Sequence, residues 1–133
     1  MATTVASIAD ILGFEPVLPS REEIDPARLV ITYNDAADTL YVHFFKRGEP
    51  ATSIDLDEYL YLRVSRTNHR VVGLQIEGFL SYAVREHPDW LPLAELAGIP
   101  AEEIAKARDA IDIERRREAA VMPILKQLQL LAS

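Results

Sequence analysis

Asp35 and Asp38 bracket Ala36-Ala37, and paired carboxylates so placed can share a proton or hold a cation. The same placement suits a turn, in which Asp side chains accept hydrogen bonds from backbone N–H groups two residues on. The loop offers too few further oxygens for a calcium ion. The turn reading is therefore preferred, with Asp38 bonded to backbone near the start of the following strand, and no metal is expected. His43, His69 and His87 show neither His-x-x-x-His nor His-Glu-x-x-His spacing, so zinc hydrolysis is not signalled. His69 falls in a turn and His87 precedes Pro88, so both read as surface or capping residues. His43 shares strand parity with Tyr41, Tyr61, Arg63 and Glu77. A His43–Glu77 pair there could act as a general base; the preferred reading is a hydrogen-bonded His43 under a packed helix. The serines show no Gly-x-Ser-x-Gly elbow, and the five glycines form no phosphate loop. With no cysteine, thiolate nucleophiles, zinc–thiolate sites, iron–sulfur clusters and disulfides are excluded. No catalytic residue and no cofactor is assigned.

These residues need strands to carry them. Leu29 to Tyr33 is rich in β-branched and aromatic residues and ends at Asn34-Asp35. Thr39 to Phe45 follows, closed by Lys46-Arg47-Gly48-Glu49-Pro50. A third stretch starts at Thr52, dips from Asp55 to Glu58 and resumes as Tyr59 to Ser65. Thr67-Asn68-His69-Arg70 turns the chain into Val71 to Glu77. The short polar connections suit an antiparallel meander, and no helix-length segment separates the strands. Alternation places Leu40, Val42, Phe44, Leu60, Leu62, Val64, Val72, Leu74 and Ile76 on a core face. The opposite face carries Tyr41, His43, Phe45, Tyr59, Tyr61, Arg63, Gly73, Gln75 and Glu77. Three readings compete for it: cover by a helix or a second copy of the chain, a ligand site, or base stacking. The first is preferred, and the third lacks a basic frame.

The 133 residues are the size of one domain, 49% hydrophobic and 26% charged, with net charge −7. That acidity argues against nucleic acid as a partner. No run approaches the roughly 20 apolar residues of a membrane span. Met1 to Phe14 carries Asp10 and no Lys or Arg, unlike a signal peptide, so a cytoplasmic location is the default expectation. Residues 1–28 read as an arm with short helical turns, one over Thr4 to Leu12. A second starts at the capping box Ser20-Arg-Glu-Glu23 and runs to Asp25. Residues 29–99 read as the sheet domain, with short helices at Leu80 to Glu86 and Leu91 to Ala97.

Residues 100–133 read as a helical extension. Ile104, Ile111, Val121, Leu125 and Leu128 mark one side of it, and Pro123 should kink or restart it. Arg115-Arg116-Arg117, flanked by Glu114 and Glu118, reads as a solvated face with ion pairs at helical spacing. The apolar residues of the tail need cover from this domain, a second copy or a partner. A homodimer is expected, with Val121, Ile124, Leu125, Leu128 and Leu131 at its interface.

Tyr33-Asn34-Asp35-Ala36-Ala37-Asp38-Thr39-Leu40-Tyr41-Val42 resembles the signature of a small bacterial family, domain-of-unknown-function family 2283. Val71-Val72-Gly73-Leu74-Gln75-Ile76-Glu77 is similar to that family's closing strand, and Ser53-Ile54-Asp55-Leu56 to its middle strand. Asn68 stands where the family usually has Gly, and Asn substitutes well at a left-handed position. The resemblance spans Leu29 to Phe79. It implies a compact antiparallel sheet with a helix beside it and no established activity; some members are suspected to be antitoxin-like. The expectation is thus an α+β protein with an antiparallel sheet of about four strands and packed helices. Its expected role is a non-enzymatic, homodimeric interaction or regulatory module. The alternative is a small enzyme or ligand-binding protein using Tyr41, His43, Tyr61, Arg63 and Glu77.

Overall fold

The computed structural model describes residues 13–45 and 50–132. The expected helix at Thr4 to Leu12 and the turn residues 46–49 lie outside the described residues. The fold is α+β, as expected, with an antiparallel sheet of five strands: β1 Val30–Asn34, β2 Thr39–His43, β3 Ala51–Asp55, β4 Leu60–Ser65 and β5 Val71–Glu77. The fifth strand comes from the stretch that starts at Thr52 in the sequence reading. Leu56 and Asp57 both donate to the Leu60 carbonyl, so the polar dip is a tight turn between two paired strands.

The strand order is β1-β2-β5-β4-β3, so β5 inserts between the β1–β2 hairpin and the β3–β4 hairpin. This departs from a simple meander. β5 is the most buried strand, with Val71, Val72, Gly73, Gln75 and Ile76 all buried, as its central position requires. β3, with Thr52, Ser53 and Asp55 exposed, takes an edge. The β4–β5 register shifts between Arg63, which faces Gly73, and Val64, which faces Val71. That bulge gives β5 one extra residue there and brings Val71 into a cluster with Leu62 and Val64.

The core face follows alternation except at the bulge, where Val71 rather than the expected Val72 joins Leu62 and Val64. Leu40, Val42 and Ile76 pack with Phe79, Ala83, Val84, Leu91, Ala94, Ile99, Ile104, Ala107 and Ile111 from the helical part. A π-helical turn at Phe79–Ala83 leads into α1, Val84–Glu86; a 3₁₀ turn at Pro88–Trp90 leads to α2, Leu93–Leu96. Gly98, with φ +77°, ends that helix. Pro100 precedes α3, Ala101–Ala132, a single helix of 32 residues. Pro123 lies inside it, so of the two expected outcomes, a kink or a restart, the restart does not occur. The proline removes one hydrogen bond, and the good helix formers on both sides carry the helix past the gap. Among the described residues, no helix is long and apolar enough to cross a membrane.

The N-terminal arm has the expected capping box: Glu23 accepts from the Ser20 N–H at 3.0 Å. The turn closes at Glu23 rather than Asp25, and Asp25 instead caps a second 3₁₀ turn, Pro26–Arg28, accepting from the Ala27 N–H. Val17 forms a parallel bridge to Arg70, and Glu23 is ion-paired with Arg70. The arm is thereby clamped to the start of β5.

Candidate functional site

The signature turn is built around Asp38, whose φ is +49°. Asp and Asn tolerate this left-handed geometry better than most residues. The Asp38 carboxylate accepts from Tyr33 Oη at 2.6 Å, Leu80 N–H at 2.9 Å, Ser81 N–H at 3.0 Å and Ser81 Oγ at 2.7 Å. The sequence reading placed its partners beside β2; they lie in the helical turn after β5. Asp38 thus caps, from outside, the open N–H groups of that turn. Burial raises the Asp38 carboxyl, but the bonds from Tyr33, Leu80 and Ser81 outweigh it and hold it below the usual carboxylate range. Asp35 does not join it; only its backbone carbonyl takes part, accepting from the Asp38 N–H at 3.4 Å. Among the described residues, no group of three His, Asp or Glu side chains could hold a metal ion.

The candidate ligand face is a real face of the sheet. One rung runs Thr32–Tyr41–Gln75–Tyr61–Asp55, and the next runs Val30–His43–Gly73–Arg63–Ser53. The Arg63 guanidinium lies 5.9 Å from the Tyr41 ring centre and donates to Ser53 Oγ at 2.8 Å. Ser53 donates to Gln75, and Gln75 to Glu77. The Glu77 charge, then burial, raises the Tyr61 phenol. Tyr41, His43, Tyr61, Arg63 and Glu77 therefore share one surface, where Thr32, Ser53 and Gln75 hold the polar atoms of His43, Arg63 and Glu77.

Two expectations for His43 change. Thr32 Oγ1 and His43 Nε2 are hydrogen-bonded at 3.3 Å, and the ring stacks beside Tyr41. Among the described residues, however, the helices gather on the Leu40–Val42–Ile76 side, and none of them covers His43. His43 faces Gly73, and Glu77 stands four residues further along β5. Four residues of strand are about 13 Å, so the His43–Glu77 acid–base pair does not form.

Other turn and surface residues fall close to expectation. The left-handed residue before β5 is His69, φ +59°, not Asn68. Asn68 serves the turn through its side chain, accepting from the Arg70 N–H at 3.0 Å. His69 is exposed and stacks on Phe14; His87 is half-buried and stacks on Trp90 at 4.0 Å. Sequence reasoning missed the aromatic group made by Tyr59, Tyr82, His87 and Trp90 at the end of the sheet. Its members are spread over 32 positions, and no local pattern links them.

The second candidate surface is α3. Ile104, Ala107 and Ile111 are buried, and every residue from 112 to 131 is exposed. Val121 is 39% exposed, Leu125 44%, Leu128 57%, Ile124 63% and Leu131 82%. The domain itself does not cover the tail. Arg115, Arg116 and Arg117 are solvated as expected, while the ion pair recorded for Glu114 runs to Arg85, at 3.0 Å, on α1.

Residues 30–79 match the family described as Protein of unknown function (DUF2283). The DUF2283 segment holds the whole sheet, the Tyr33–Asp38 turn and the first residue of the turn that Asp38 caps. The exposed part of α3 lies outside it. No curated protein and no solved structure matches the chain.

Proposed function

We propose that this protein is a non-enzymatic, homodimeric interaction or regulatory module, in which the sheet domain is the rigid body and α3 the associating element. One observation carries this reading: α3 leaves the domain after Ile111 and holds Val121, Ile124, Leu125, Leu128 and Leu131 in solvent. A large aliphatic side chain contributes about 1.5–3 kcal/mol when fully buried, so each has a sizeable fraction of that still to gain. The mutually bonded polar groups on the sheet, and the separation of His43 from Glu77, support a role without acid–base chemistry. An antitoxin-like role, which the family resemblance implies, is one regulatory form of this reading.

The test is sedimentation of the full chain beside a chain ending at Ala120. The expected result is a dimer for the first and a monomer for the second. A full chain that is monomeric at micromolar concentration would refute the proposal. A truncated chain that remains dimeric would move the contact to the sheet face.

A second reading has its own support. Tyr41, His43, Tyr61 and Arg63 share one surface of the sheet, as a ligand-binding role would require. A small molecule seated there would touch Tyr41 and Tyr61. Native mass spectrometry of the purified protein tests this reading, and a bare polypeptide mass argues against it.

A further inference from the structure

The aromatic group at the end of the sheet draws no residue from α3. The Tyr59 ring is steeply inclined to three others, with ring centres 5.3 Å from Tyr82, 5.9 Å from His87 and 6.0 Å from Trp90. His87 lies flat against Trp90 at 4.0 Å. Rings at such angles form a corner walled by π-faces, and π-faces attract cations. Tyr82 is 42% exposed, and Tyr59, His87 and Trp90 are half-buried, so the corner reaches solvent.

The rim of this corner is acidic. Glu58 accepts from the Tyr82 hydroxyl at 2.9 Å. Burial raises the Tyr59 phenol, and the charges of Glu86, Asp57 and Glu58 raise it further. The bond to Glu58 raises the Tyr82 phenol, and Glu86 adds to that. Among the described residues, no Lys or Arg is paired with Asp57, Glu58 or Glu86. Arg85, next in sequence to Glu86, is held by Glu114 at 3.0 Å.

Elsewhere the chain completes the same arrangement with an arginine of its own. The Arg70 guanidinium lies 3.9 Å from the Phe45 ring centre and is paired with Glu23. A ring face beside a carboxylate suits guanidinium, which stacks through its flat side and donates from its edge. The Tyr59 corner supplies the rings and the carboxylates, and none of the described arginines fills it.

We infer that this corner is a docking site for an arginine side chain of a partner protein. The guanidinium stacks on the aromatic rings and donates to the carboxylates of Glu58 and Glu86. Lysine fits less well, because its ammonium has no flat side and is more strongly hydrated. The site uses no residue of α3, so it goes beyond the dimer proposed above and fails or succeeds separately from it.

Trp90 is the only tryptophan of the chain, so its fluorescence reports on the site itself. The probe is a short blocked peptide containing two arginines, titrated into the full chain. The control is the same peptide with citrulline, an uncharged isostere of arginine. Calorimetry gives the affinities, and Trp90 emission gives the location. The arginine peptide should shift the emission and bind at least about tenfold more tightly than the citrulline peptide. Tyr82→Leu and Glu86→Gln, both at exposed positions, should each weaken binding by about threefold or more. No binding at millimolar peptide would overturn the site. So would equal affinity for the two peptides, binding without a change in Trp90 emission, or variants that bind as the wild type does. A Trp90 signal that changes with protein concentration, and is lost when Arg115, Arg116 and Arg117 are all changed to Gln, would assign the corner to a second copy and overturn the foreign partner.

Discussion

The Tyr33 hydroxyl donates to Asp38 Oδ1 at 2.6 Å, and Asp38 in turn binds Leu80 and Ser81 more than forty residues further on. These bonds tie the β1–β2 hairpin to the helical turn after β5. Asp38 therefore connects the two ends of the DUF2283 segment, which gives the signature aspartate a structural meaning.

Asp38→Ala should destabilise the fold by about 2–3 kcal/mol, because hydrogen bonds to a charged acceptor are lost and N–H donors lose their partner. Asp38→Asn should cost less, since it retains one acceptor and tolerates the left-handed backbone. Urea unfolding monitored by circular dichroism measures both. Equal stability of wild type and the alanine variant would show that the clasp contributes nothing.

Asp38 and Tyr33 also set opposite pH limits. The depressed Asp38 carboxyl favours the folded state fully above the unfolded value of about 3.9, and that contribution is lost as pH falls through the folded value. Burial, then the Asp38 bond, pushes the Tyr33 phenol well above its usual value. The folded chain holds this proton longer than the unfolded chain, so stability should fall as pH rises past about 10. Tyr33→Phe should flatten the alkaline limb, and Asp38→Asn the acid limb, in melting temperature plotted against pH.

Gly73→Ala should damage the sheet directly. A Cβ at Gly73 would stand 2.3 Å from the Val42 carbonyl oxygen, far inside contact distance and against backbone that cannot swing away. Forced overpacking costs about 1–3 kcal/mol, and the upper end is expected here. Gly98→Ala is the useful comparison: its Cβ meets nothing, so its cost comes only from the positive φ. A thermal melt that ranks Gly98→Ala as the more damaging would contradict this account.

His43→Gln should lower stability by about 1 kcal/mol or less, through loss of the Thr32 bond and the stacking on Tyr41. Association should not change, because α3, the proposed associating element, is elsewhere. A large change in association with little change in melting temperature would shift attention to the sheet face.

Much of this architecture follows from local pattern. Alternating apolar residues identify the core face of β2, β4 and β5, because a strand turns successive side chains to opposite sides whatever it pairs with. The bounds of β5, Val71–Glu77, agree with the sequence reading for the same reason. Charge from Asp112 to Glu118 marks the point where α3 leaves the core. What tertiary structure alone decided is which local pieces meet. β5 sits between β2 and β4, with both its edges paired, and no turn residue encodes that order. Asp38 was legible as a turn residue, yet its partners at Leu80 and Ser81 exist only once β5 brings that helix alongside. His43 and Glu77 share a face by parity, and the register then sets them too far apart to act together. Periodicity assigns a side chain to a face; only strand pairing fixes its distance from another residue on that face, and chemistry depends on that distance.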